Sequence, residues 1–150
     1  MSFGLTSGVI TTLGLLVGLA AGTSSRLAVL GGILTIALAD AFSDALGIHM
    51  SEESEGVHSP REIWQSTFAT FFAKLFFALT FAVPVFFFDL GVATIIAVVW
   101  GFLVLAVTNL LIARAEKITP WKVIGEHLLI AAVVVTASYF VGNLISAFLG

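Results

Sequence analysis

The chain has 150 residues, 59% apolar and 10% charged, with a formal net charge of -3. Soluble domains have roughly 45 to 50% apolar and about 25% charged residues, so this composition belongs in a bilayer. At about 20 residues per crossing it holds five spans and leaves no room for a soluble domain. The acidic balance excludes the basic footprint of a nucleic-acid binder, and the absence of cysteine leaves oxygen, imidazole or thioether as the ligands for any metal.

In chain order, the first apolar run covers 3–22. Small residues recur along it at Gly4, Gly8, Gly14, Gly18 and Gly22, which predicts a closely packed inner helix. It has no basic n-region and is longer than the roughly 7 to 15 apolar residues of a signal peptide, so it is expected to be retained. Thr23, Ser24, Ser25 and Arg26 predict a tight turn into a second helix, 27–50, after which SEESEGVHSP reads as the longest polar connection. Ser59 and Pro60 mark the start of a third helix, 61–88, with Lys74 in its interior and a kink at Pro84. Asp89 begins a short turn into a fourth helix, 90–113, and Thr119 with Pro120 opens a fifth, 120–149. The expected fold is an all-α membrane protein, one domain of five transmembrane helices. Arg61, Arg114, Lys117 and Lys122 share one side and Arg26 stands alone on the other. The positive-inside rule therefore places the amino terminus in the cytoplasm and the carboxy terminus opposite, with Trp64 and Trp121 as belt residues near the cytoplasmic face.

The stretch LADAFSDALGIHMSEESE, from Leu38 to Glu55, carries the chemistry. Asp40 and Asp44 are one turn apart, and Ser43, Gly47, Ser51 and Glu55 fall within about 60° of Asp40, a polar stripe on a greasy helix. A charge at mid-bilayer costs about 2.5 to 17 kcal/mol depending on the method, so such residues face the bundle interior and mark an ion path or pair with one another. Two readings follow. Asp40 and Asp44 form a cation site, or they are a structural pair balanced by Lys74 in a scaffold that transports nothing. Met50 offers a thioether near the cytoplasmic mouth or simply packs. His49 projects roughly opposite Asp40. Glu52, Glu53, Glu55 and His58 concentrate cations at the mouth or are a solvated cluster. Glu126 and His127 lie near the start of the last helix, where the helix dipole alone accounts for a carboxylate; Lys74 and Glu126 are the candidates for a proton or ion-pair role. No GxGD, HExxH or GxSxG motif supports an enzyme.

GLTSGVITTLGLLVGLAAG in the first helix, LADAFSDALGIHMSEESE in the second, HSPREIWQSTFATF at the entry to the third and WKVIGEHLLIAAVVVTASYFVGNLI in the last together resemble the vacuolar iron transporter family. The likeness spans nearly the whole chain. It implies a small prokaryotic-type member, in the plasma membrane if prokaryotic and an organelle membrane if eukaryotic. It also implies a homodimer around the first two helices that exports Fe2+ or Mn2+ from the cytosol against protons, with the cation as cargo and no tightly bound cofactor. Gly8, Thr11 and Thr12 stand at the family's glycine and small polar positions, while Ser7 replaces its usual aspartate. Asp40, Ser43, Ser51, Glu52 and Glu55 match the second-helix pattern, while Asp44 stands where a metal-binding methionine is common. A carboxylate in place of a thioether favours harder ions such as Mn2+. The implied metal ligands are Asp40, Asp44, Met50, Glu52 and Glu55, with Ser7, Thr11, Ser43 and Ser51 along the path. Asp44 is expected to compensate for Ser7 by lying across from Ser7 and Thr11. Larger members insert a glutamate-rich domain after the second helix; here only SEESEGVHSP stands there.

Overall fold

Helix ends are set by short polar signals. Ser25 and Ser59 stand in extended backbone and accept hydrogen bonds from the N–H groups of Ala28 (3.2 Å) and Glu62 (3.4 Å). Glu62 accepts in return from the Ser59 N–H at 2.8 Å, closing a capping box. The computed structural model describes residues 2–149, with side chains from residue 6 on. It contains α1 (Ser2–Thr23), α2 (Arg26–Glu55), α3 (Pro60–Thr80), α4 (Ala82–Phe87), α5 (Leu90–Ala115) and α6 (Pro120–Leu149), with no strand among the described residues. Because α3 and α4 share one crossing, the described residues form five helical segments long and apolar enough to span a membrane. The protein is an all-α integral membrane protein. An odd number of alternating spans puts the start of α1 and the end of α6 at opposite ends; the end holding the start of α1 and the α2–α3 connection is called proximal below.

Two boundaries differ from expectation. α2 does not stop at Met50 but runs to Glu55 and ends on Gly56, whose φ of 66° is the left-handed conformation glycine adopts without strain. Glu52, Glu53 and Glu55 therefore stand on the last turns of a helix rather than in a loop. The third span is broken at Phe81, ahead of Pro84, instead of kinking as one helix. Pro84 has no N–H for the carbonyl of Thr80, and the ladder fails one turn before the ring. The Thr80 hydroxyl ties off the break by donating to the Phe77 carbonyl (2.6 Å) and accepting from Trp100 Nε1 (2.9 Å). Arg26 closes the other end by donating to the Phe88 carbonyl at 2.7 Å.

α1 is the central helix and packs against α2, α3, α5 and α6. Its Leu13 and Leu16 are fully buried, with Ile33 of α2, Phe81 at the break and Leu105 of α5 in the same core. Gly14, Gly18 and Gly22 of the series face α6 of the same chain rather than remaining free for a second copy: a Cβ on Gly14 would stand 2.8 Å from Val134 Cγ1, and one on Gly22 3.1 Å from the Gly142 carbonyl oxygen. The surroundings of Gly4 lie outside the described residues. A Cβ on Gly142 would overlap the Gly18 carbonyl oxygen and stand 3.0 Å from Ala21 Cβ, so backbone meets backbone with no side chain to yield. We expect Gly142→Ala to destabilise the bundle by about 1 to 3 kcal/mol through overpacking. Gly91→Ala, with nothing within 4 Å, should be neutral or slightly stabilising. Unfolding of both variants in detergent measures the difference.

Candidate functional site: a carboxylate pair on one lysine

Asp40 and Asp44 point from α2 toward α3, where Lys74 rises from the opposite wall. Lys74 Nζ donates to Asp40 Oδ2 at 2.7 Å and also to Asp44 Oδ2. The lysine side chain is 2% exposed, against 20% and 24% for the two aspartates. A buried ammonium must be paired to be tolerated in a membrane, and here two carboxylates pair it. As ionised groups the three carry one net negative charge. The third wall is α1, at Gly8. A Cβ there would stand 2.7 Å from Lys74 Cε and 3.5 Å from Asp40 Oδ2, so the missing side chain makes the room that the lysine head occupies.

The remaining candidates divide by location. Glu52, half-buried, accepts from the Ser66 hydroxyl of α3, two turns proximal of Asp44. Glu55 pairs with His58 at 3.5 Å in the solvated cluster. Met50 is 61% exposed, and Ser43 and Ser51 are also exposed; all three lie on the outer face of α2, away from the lysine. His49 donates from Nδ1 to the Thr67 hydroxyl (3.0 Å), itself committed to the Ile63 carbonyl, and its ring meets Trp64 edge-on. Glu126 is exposed on α6 and has no part in the triad. Thr11 donates to the Ser7 carbonyl at 2.8 Å.

Ser7 is not across from Asp44. It lines a separate cavity of about 410 Å³ between α1, α5 and α6, with Asn109, Glu116 and His127. Successive residues of a helix point about 100° apart, so when Gly8 faces the triad Ser7 must face elsewhere. An aspartate at position 7 would enter that cavity, and exchanging carboxylates between positions 7 and 44 would not rebuild one site. Reading the residues missed Gly8 as the wall of the triad, Ser66 as the partner of Glu52, and Thr70. The last two share a four-residue spacing with Lys74 on α3, a signal that was present.

The fold and site together define a five-span helical membrane protein with a buried ammonium held by two part-buried carboxylates of the same chain. Comparison with protein families, with characterised proteins and with solved structures finds no match for the chain.

Proposed function

We propose that the protein transports a divalent metal ion, Fe2+ or Mn2+, out of the cytosol in exchange for protons, as its resemblance to the vacuolar iron transporters implies. The observation that carries this reading is the convergence of Asp40 and Asp44 on one point deep in the bundle, occupied by a single ammonium. A lysine head on a flexible stem is a built-in cation, and an arriving metal ion can displace it. The proximal end is the cytoplasmic one on this reading, since Arg61, Arg114, Lys117 and Lys122 gather there. Glu52 and Glu55 then attract cations to the mouth. Purified protein in liposomes, given Mn2+ or Fe2+ with and without a pH gradient, tests it. Flux of neither ion removes the reading, and flux indifferent to the gradient removes only the coupling.

The structural reading draws on the same contacts, because a lysine satisfied by two carboxylates is also what a fixed ion-pair network looks like. The two separate on variants of the triad.

The transporter is proposed to work as a homodimer. With Gly14, Gly18 and Gly22 of α1 covered by α6, the small-residue face open to a second copy is the outer side of α2, where Gly31, Thr35, Ala39, Ser43, Gly47 and Ser51 recur every fourth residue and are all exposed. A Cβ placed on Gly31 or Gly47 would meet nothing within 4 Å beyond its own stretch of helix, so a second helix can approach closely there. The chain has no cysteine, which makes a single introduced thiol unambiguous. Ser43→Cys is expected to form a disulfide-linked dimer in membranes and Leu129→Cys, exposed on α6, is not. Equal crosslinking of the two would assign the contact to chance collision.

A further inference from the structure

Between the triad and the proximal mouth lies a side chain with no partner. Thr70 is 4% exposed, and its hydroxyl is the one buried side-chain polar group among the described residues without a hydrogen bond. Six other helical threonines do otherwise: Thr11, Thr23, Thr67, Thr80, Thr94 and Thr108 each donate to a carbonyl three or four residues back. That bond is open to any helical threonine, and a buried hydroxyl that forgoes it is costly unless another group takes its place.

Its position is set by its neighbours. Ser66 of α3 meets Glu52 of α2, and Lys74 meets Asp44. Each helix advances eight residues between these contacts, so the register is continuous and sets Ile48 opposite Thr70. Eight residues span about 12 Å along a helix, and Thr70 stands halfway, about 6 Å from either pair. The α2–α3 seam thus holds a carboxylate with a hydroxyl at the mouth, a lone hydroxyl midway and two carboxylates at depth.

Resting on the transport reading, we propose that this seam within one protomer is the cation's route from Glu52 to Asp44, and that the Thr70 hydroxyl oxygen is a ligand for it midway. The ligand class is a hard, partly dehydrated divalent cation, since the groups offered along the seam are carboxylate and hydroxyl oxygens. No group donates to the Thr70 hydroxyl, so the lone pairs of its oxygen are free for the ion, and between Glu52 and Lys74 the two facing helices carry no lysine or arginine to repel it, the one basic side chain there being His49, bonded to Thr67.

The test uses Mn2+ as the probe, in liposomes containing the full chain. Thr70→Val keeps the shape and removes an unpaired buried hydroxyl, so it should fold at least as stably as the wild type. We expect its kcat/KM for Mn2+ to fall about ten-fold, the effect of one lost ligand to a charge, and Thr70→Ser to restore it. In a chain without other thiols, Thr70→Cys should react with a small cationic methanethiosulfonate applied from the Glu52 side, and Mn2+ should slow that reaction. Wild-type flux in Thr70→Val overturns the inference, as does a thiol that fails to react or that Mn2+ does not protect. If the wild type carries neither Mn2+ nor Fe2+, the transport reading fails and takes this one with it; if it carries Fe2+ alone, the same comparisons are read with Fe2+. If the wild type carries Mn2+ and Asp44→Asn does not, while Thr70→Val is unimpaired, only the route through Thr70 is lost.

Discussion

Lys74→Met should make the fold depend on divalent metal. The wild-type lysine neutralises two carboxylates that meet at its Nζ. Remove it and two like charges face each other in the bundle, where breaking a buried pair typically costs about 3 to 5 kcal/mol. A cation that binds Asp40 and Asp44 in the folded state alone returns stability by mass action, about 2.7 kcal/mol at a hundred times its dissociation constant. We therefore expect Lys74→Met in detergent to unfold at a much lower temperature with chelator than with excess Mn2+, and the wild type to differ little between the two. Metal must compete with the lysine in the wild type and meets no competitor in the variant. A fixed structural network predicts the same loss of stability with no metal rescue. That outcome would favour the scaffold reading.

The spans were legible because they rest on composition and length, which a bilayer constrains more than any single contact does. The pairing of Lys74 with Asp40 and Asp44 was legible for the same reason, as membrane charges need partners. Helix boundaries were less so. Gly56 was a visible stop signal, yet the acidic run before it reads as a loop until the hydrogen-bond ladder is seen to continue through Glu52 to Glu55. The glycine series shows why partners are harder to read than contacts. Small residues at every fourth position announce a close approach and do not say which helix approaches; Gly14, Gly18 and Gly22 meet α6 of the same chain. Ser7 was misplaced for a related reason. α1 is surrounded by four helices, so no apolar-polar contrast distinguishes the face toward α2 from the face toward α5 and α6. Thr70 required both the four-residue spacing on α3 and the α2–α3 register, and only the second is invisible in the chain.

Asp44→Asn should abolish transport and leave the protein folded. The amide has nearly the shape of the carboxylate and its oxygen can still accept from Lys74, while Asp40 remains bonded to the same ammonium at 2.7 Å. One carboxylate and one ammonium are a neutral pair, which is acceptable in a low-dielectric interior, so stability in detergent should change little. Function depends on the charge that is lost. The wild-type triad keeps one net negative charge to draw a cation inward and offers two anionic ligands once the lysine yields; the variant keeps neither. Truncating one member of a buried charged contact costs about 2 to 5 kcal/mol of binding, which is about 30-fold or more in flux at low Mn2+. Asp40→Asn should behave alike, because the lysine links both residues into one unit and either loss leaves the same neutral pair. The double variant Lys74→Met with Asp44→Asn separates charge from ligand number: it again carries one net negative charge, but on a single carboxylate. If net charge alone admits the cation, flux should return in that double variant. We expect that it does not, because a dehydrated divalent ion needs both carboxylates to replace its lost water, and normal Mn2+ flux in Asp44→Asn itself would remove the site from the transport path.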